Sequence, residues 1–297
     1  MGNLYTMSIL LIISQGYSVY RKGGRLHIRT KNGENSYALS HLSSIMLIGS
    51  GSITTEAIHM MSKAGVSLCL LSKNFRLKGI FIPEENISSL VERRISQYEL
   101  WKTSKLKTAK KIVRLKAEAI IKEFQIDLNP YLALIEQAKD LQELMGYEGL
   151  VSRFMFESVS KKLPTFKERS YRPPADPVNA VFSFVYTLCY QKTFALITSL
   201  GFDPYISYLH TRRGKHASFV SDIMEPVRPM LTNFVVDLFL SGKLGKAHFL
   251  DDKKLNKEGL NVVLEQYHTI TQRCVEELYS SIFKIFNMEE CDEACSV

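Results

Sequence analysis

The chain predicts an α+β fold, with a small, mostly β domain over residues 1–86 and a larger all-α domain over residues 87–297. Two observations predict it. Before Pro83, short apolar runs alternate with glycine-containing turns, the pattern of short strands. Beyond about Ser89, apolar residues recur at three- and four-residue spacing over long stretches, the period of helices buried on one side.

In the first part, residues 9–13, 17–21, 26–30 and 36–39 read as strands, with breaks at Gln15-Gly16, Gly23-Gly24 and Asn32-Gly33. The last two dipeptides accept positive φ and suit hairpin turns. Residues 45–48 and 66–71 are near-continuous apolar runs, expected of strands covered on both faces. Between them Ile53, Ala57, Ile58 and Met61 stand at helical spacing, and Gly65 closes that helix. No constellation of chemistry-bearing side chains falls in this part.

The second part opens with a long helix carrying Ile95, Tyr98, Leu106, Ala109, Val113 and Ile120 on one side. Further helices are expected over 131–145, 148–161, 176–200, 218–240 and 257–286. Pro173, Pro174 and Pro177 make a rigid connector of residues 171–177. No repeat of solenoid period is present.

Thirty-eight basic against thirty acidic side chains give a net charge of +8, which favours polyanionic partners. The excess is concentrated. Arg93, Arg94, Lys102, Lys105, Lys107, Lys110, Lys111, Arg114, Lys116 and Lys122 share their stretch with only Glu99 and Glu118, so this helix can follow a DNA backbone. Its bland counterpart is a solvated face. The five cysteines are odd in number and no secretory signal precedes them, so a reducing cytoplasm is expected. Cys291 and Cys295 have no second pair to complete a zinc tetrahedron. Residues 8–13 are too few to span a bilayer, and no membrane association is expected. The absence of G-x-x-x-x-G-K-[ST], G-x-S-x-G and G-x-G-x-x-G removes the usual nucleotide cradle, the hydrolase elbow and the dinucleotide fingerprint.

The densest chemistry lies between Leu209 and Arg228. His210 precedes Arg212, Arg213 and Lys215, and Asp222 and Glu225 follow at i, i+3 spacing on one helical face. Imidazole with carboxylates can hold a hard divalent cation, Mg2+ or Mn2+, that keeps positions open for phosphate oxygens. Interleaved arginines and lysines suit a phosphate substrate. Glu148, framed by Gly146 and Gly149, is a third acid whose surroundings leave room for a ligand. It equally suits a helix N-terminus stabilised by the dipole. A solvated helix start beside a chance histidine is the competing account of the downstream group.

Four blocks occur in order: GYEGLVSRFMF at 146–156, DPVNAVFSFVYT at 176–187, GFDPYISYLH at 201–210 and SFVSDIMEPVRP at 218–229. They resemble the CRISPR-associated Cas1 family, integrases that capture new spacers, and the likeness runs over essentially the whole chain. The resemblance implies an active site of Glu148, His210 and Asp222 binding one Mg2+ or Mn2+ ion, with Glu225 as an acidic auxiliary. It implies a homodimer, its N-terminal domain making dimer and partner contacts, that binds a dimer of the small protein Cas2. Together they would hold short double-stranded DNA, branched or with 3′ overhangs, and join its 3′-hydroxyls to a CRISPR array by transesterification. Arg212, Arg213, Lys215, Lys107, Lys110 and Arg114 are the expected backbone contacts. A structure-selective nuclease acting on branched DNA in repair, or a non-catalytic DNA-binding scaffold, would use the same surface. Pro226 stands where the family commonly carries another helix former; four residues past Asp222 it can kink a helix begun at Ser218, which leaves the placement of Glu225 open but not that of Asp222.

Overall fold

The computed structural model describes residues 8–72, 77–84, 87–171, 173–211, 214–251 and 253–286. A β-sheet part is followed by a helical part, as the sequence predicts. The chain forms two compact units, Met1–Glu99 with Tyr190–Ile206, and Leu100–Cys189 with Ser207–Val297.

The first unit carries six strands: β1 (Ser8–Lys22), β2 (Arg25–Thr30), β3 (Gly33–Tyr37), β4 (Leu42–Ile53), β5 (Ser67–Leu71) and β6 (Leu77–Phe81). They form one mixed sheet in the order β3-β2-β1-β4-β5-β6. β1, β4 and β5 run parallel, and helix α1 (Thr55–Lys63) makes the crossover between β4 and β5. Thr54 caps α1 by accepting from Ala57 N at 3.3 Å. Ala57 and Met61 of α1 pack on Val19, Leu26, Ile45, Leu47 and Leu68. Met46, Ile48 and Cys69, which point the other way, are also buried, so β4 and β5 are covered on both faces as expected. Gln97 ties the returning segment to this unit, donating to Asp203 O and Ile206 O at 3.0 Å and accepting from Asp203 N at 2.7 Å.

Two local expectations change. The segments expected as separate strands, 9–13 and 17–21, form one strand, because Gly16 (φ +79°) absorbs a register shift between Gln15 and Tyr17 as a bulge. Gly23-Gly24 do make the first hairpin turn, both at positive φ and flanked by the pair Lys22 and Arg25. The second hairpin turns one residue early: Thr30 pairs with Gly33, so Lys31-Asn32 are the turn and Gly33 begins β3.

The helical part contains α2 (Ile87–Phe124), α3 (Asn129–Gln137), α4 (Leu141–Lys162), α5 (Pro177–Ser199), α6 (Ser218–Met224), α7 (Arg228–Leu240) and α8 (Lys257–Phe286). A two-residue pair, β7 (Phe249–Leu250) and β8 (Lys254–Leu255), precedes α8. α2 kinks at Ser104 (φ −138°, ψ 26°). Its expected apolar face exists only past that kink, where Ala109, Ile112, Val113, Ala117 and Ile120 are buried, whereas Ile95 and Tyr98 are half exposed. α4 starts at Leu141, capped by Asp140 accepting from Glu143 N at 2.8 Å, so Glu148 lies two turns inside it and not at a helix start. The helix expected over 218–240 is two helices, because Pro226 cannot donate the bond that would continue α6. Within the second unit, edge-to-face contacts among Tyr208, Phe219 and Phe286 (centroids 5.9–6.0 Å apart) hold the segment before His210 against α6 and α8. Among the described residues, residues 177–198 are apolar and long enough to cross a membrane, but 61% of that stretch is buried inside the protein, as in a core helix.

Gly49 lies on β4 at φ +119°, and a Cβ there would stand 2.1 Å from Ser14 O of the paired β1. Gly49→Ala should therefore cost about 1–3 kcal/mol, read as a lowered midpoint in urea, whereas Gly23→Asn in the exposed turn should be nearly neutral.

Candidate active site

Every side chain of the site belongs to the second unit. Three of its charges lie on buried helix faces. On α4, Leu144, Val151, Met155 and Val159 are buried, and Glu148, four residues past Leu144 and three before Val151, falls on their line. On α2, Lys116 stands in the stripe of Ile112, Val113 and Ile120 and is 3% exposed. Glu225 follows the last turn of the fully buried α6 and is 1% exposed.

Such charges survive burial only when paired, and these are. Lys116 Nζ donates to Glu225 Oε2 at 2.6 Å and also to Glu148 Oε1. Glu148 accepts in addition from Ser152 Oγ, one turn on, at 2.9 Å. On the other side of Glu225, Oε1 is 3.3 Å from Arg228 Nε and 3.5 Å from His210 Nε2. The Arg228 contact is an ion pair without hydrogen-bond alignment, since its Nε has no hydrogen-bond partner. The Arg228 guanidinium lies over the Tyr186 ring, 5.5 Å from its centroid. Burial pushes the Glu225 carboxyl up, but Arg228, Lys116 and His210 more than offset this and hold it down at about 2. Burial likewise opposes the Lys116 charge, and Glu225 and Glu148 outweigh it.

Asp222 is fully buried and plays another part. Its Oδ2 accepts from Tyr208 N at 2.6 Å and Leu209 N at 3.1 Å, and its Oδ1 from His210 N at 3.0 Å. The same Oδ1 is 2.8 Å from His210 Nδ1. Ser207 Oγ donates to His210 O at 2.6 Å and accepts from Ser218 Oγ at 2.8 Å, closing the turn. An acceptor-only carboxylate at Nδ1 places the proton there, so Nε2 is the nitrogen with the available lone pair. His210 is 31% exposed and presents Nε2 to Glu225. Burial lowers its pKa, but the Asp222 hydrogen bond and the Glu225 and Asp222 charges more than offset this, for a net upward shift.

The two downstream acids thus have different partners. Four hydrogen bonds fill the oxygens of Asp222, expected as a metal ligand. Glu225, expected as an auxiliary, is the acid that meets both Glu148 (through Lys116) and His210. Among the described residues no three His, Cys, Asp or Glu side chains form a ready-made metal cage. The Lys116 ammonium stands between the two glutamates as a monovalent cation in the place where a shared divalent ion would neutralise them, so the donor set fits such an ion in charge and in ligand type.

The expected DNA contacts fall differently. Arg212 and Arg213 lie outside the described residues, as do Cys291 and Cys295. Lys215 is exposed beside the site loop, and Lys107 is exposed on α2. Lys110 Nζ donates to Glu136 O at 2.7 Å, and Arg114 pairs with Glu118 at 2.9 Å and Glu136 at 3.1 Å. Lys107, Lys111, Arg114 and Lys284 line one open hollow on this side of α2, together with Glu118 and Glu136.

The family model for CRISPR associated protein Cas1 matches residues 10–269. The chain belongs to the Cas1 family. It is 27% identical over 273 residues to the CRISPR-associated endonuclease Cas1 of Methanocaldococcus jannaschii, covering 87% of this chain and 84% of that one. To the protein of the same name from Pyrococcus horikoshii it is 28% identical over 281 residues, 90% of this chain and 87% of the other. Among solved structures, a Cas1 protein from Thermotoga maritima superposes with a TM-score of 0.71 at 20% identity, over 95% of this chain and 98% of its own. A casposase bound to integration product superposes at 0.63 and 19% identity, over 98% and 100%. All four blocks that carry the Cas1 resemblance fall inside the matched span.

Sequence reasoning passed over Lys116 and Arg228. Lys116 was legible in part: it sits three residues past Val113 and four before Ile120, in the apolar stripe and not on the basic face. Arg228, three residues past Glu225, had the spacing of a helical ion pair.

Replacing Glu225 by glutamine leaves Arg228 without its carboxylate and Lys116 with Glu148 alone, and loss of a buried charge's partner costs about 3–5 kcal/mol. The carboxyl titrates near 4.5 when unfolded and is held at about 2 when folded. As pH falls the unfolded chain binds this proton first, so the pairing contributes fully above about 4.5 and is lost towards about 2. Denaturant titrations should show Glu225→Gln less stable at pH 7 and less sensitive to acid across that window. An unchanged midpoint at pH 7 would contradict the pairing.

Proposed function

We propose that this protein is a metal-dependent DNA integrase and endonuclease that inserts short DNA fragments into a CRISPR array by transesterification. The observation that carries the reading is the convergence of Glu148 and Glu225 on one buried cation position, with His210 Nε2 beside Glu225. Glu148, His210 and Glu225 would hold one Mg2+ or Mn2+ ion, and Asp222 is a positioning residue that fixes the imidazole through Nδ1. Such an ion neutralises charge on a phosphodiester and lowers the pKa of the attacking hydroxyl. In the transfer a 3′-hydroxyl oxygen bonds to phosphorus while the existing phosphorus–oxygen bond to the leaving 3′-oxygen breaks. One phosphodiester replaces another, so no nucleotide cradle is needed. Hydrolysis is the same step with water attacking, consistent with the endonuclease name of the relatives.

Gly146 and Gly149 share one exposed face of α4, where even a Cβ would meet nothing within 4 Å, but at i, i+3 they do not flank the Glu148 side chain. Lys215 and the hollow lined by Lys107, Lys111, Arg114 and Lys284 supply positive charge for the phosphate backbone, which positions DNA without reading its sequence. For the DNA to use Arg114, the Glu118 and Glu136 pairs must open. A solved Cas1–DNA complex and a Cas6-RT-Cas1–Cas2 complex share the fold, with TM-scores of 0.65 and 0.68, and this likeness supports DNA and Cas2 as partners. We further expect a cytoplasmic homodimer acting on double-stranded DNA, branched or with 3′ overhangs.

The reading is tested with branched and 3′-overhang DNA in Mn2+. Wild type should yield joined strands, and Glu148→Gln, His210→Ala and Glu225→Gln should each lose at least ~10²-fold in rate, as loss of a site's electrostatic stabilisation does. Asp222→Asn, a positioning change, should weaken ion affinity about 10–100-fold. Nicked but never joined products would favour the repair nuclease, and binding without cleavage in any divalent ion would favour the scaffold. Equal joining by all variants would end the site assignment.

Replacing Lys107, Lys110 and Arg114 together by glutamine should weaken DNA binding equally across sequences. The slope of log affinity against log salt should flatten by about 0.9 for each phosphate that is no longer neutralised. Unchanged affinity at low salt would leave that face to solvent.

A further inference from the structure

Lys116 has no evident packing reason to be where it is. Its neighbours along the α2 stripe are Ile112, Val113, Ala117 and Ile120, all fully buried, and a methionine would fill the position without a charge to desolvate. What its ammonium does have is both glutamates of the site, Glu225 Oε2 at 2.6 Å and Glu148 Oε1. A small divalent ion such as Mg2+ shared by those carboxylates would stand about 2.0–2.1 Å from an oxygen of each. That is nearly the point Nζ occupies, so ammonium and ion exclude one another. The four-carbon lysine stem can swing aside by rotamer change, whereas the glutamates are held on α4 and at the end of α6.

We propose that Lys116 is a resident counter-cation, holding Glu148 and Glu225 together in the ion-free protein and giving way when the divalent ion enters. The inference rests on the metal site proposed above. It follows that the site stays assembled without its ion, because the two acids need not repel. It also follows that ion binding is weaker than the same acids would give unaided, since an ammonium must first leave and then remains nearby as a like charge. A lysine that only braced α2 against α4 would act in the opposite sense, because removing it would loosen the site and weaken binding.

The test measures Mn2+ uptake by the full-length chain, from the electron paramagnetic resonance signal of free Mn2+, alongside melting in EDTA. Lys116→Met should melt lower than wild type in EDTA yet bind Mn2+ about tenfold tighter or more, so its rise in Tm on adding Mn2+ is the larger. Lys116→Arg keeps the charge and should keep the weaker wild-type affinity. Should the methionine variant not fold without metal, Lys116→Gln, which retains a donor to the carboxylates, takes its place with the same expected direction. Equal or weaker Mn2+ binding by the neutral variants overturns the proposal while leaving the metal site standing. Failure of wild type to take up Mn2+, or full uptake by Glu148→Gln, overturns the metal site and this inference with it.

Discussion

The second unit is organised around a charge balance that has to be struck out of water. Lys116 comes from α2, Glu148 from α4, Glu225 from the end of α6 and Arg228 from the start of α7, so four helices are fixed relative to one another by the need to neutralise these groups. Isolated, any one of the buried charges would be prohibitive; together they are tolerated. Apolar packing alone would leave the helices free to slide by small amounts. Hydrogen-bonded ions at 2.6 Å allow much less freedom, and that precision is what a catalytic site needs.

Asp222 exerts a second constraint of a different kind. It gathers three consecutive backbone N–H groups and one imidazole nitrogen, shaping the 208–210 segment into a rigid mount for His210. The two downstream acids are three residues apart, yet one faces the backbone of its own loop and the other faces charges on other helices. Pro226 makes this possible. By ending α6 it leaves Glu225 at the break, with its backbone N–H donating to Asp222 O at 3.2 Å.

Much of this was legible in the amino-acid order. Strands buried on both faces, the Gly23-Gly24 turn, α1 and α8 follow from local apolar periodicity and from glycine at positive φ, which are short-range effects. The bulge at Gly16 was not, because whether a glycine ends a strand or merely shifts its register depends on the strand pairing beside it. For the site, sequence brought forward Glu148, His210, Asp222 and Glu225 but assigned the two downstream acids by likeness, and helical spacing gave no reason to separate their roles. Their separation depends on what lies across the space from each, Lys116 for one and the 208–210 backbone for the other. Lys116 was hidden by its company: amid so many basic residues its place in the apolar stripe was easy to overlook, and only burial distinguishes it.

On the proposed function, one ion is shared by Glu148, His210 and Glu225, with Asp222 outside its ligand shell. Crystals soaked in Mn2+ and measured for anomalous scattering test it most directly. The expected result is a single strong peak about 2 Å from a Glu148 oxygen, His210 Nε2 and a Glu225 oxygen, with the four hydrogen bonds to Asp222 intact. A peak bonded to Asp222 in place of Glu225, or none near His210 Nε2, would contradict it.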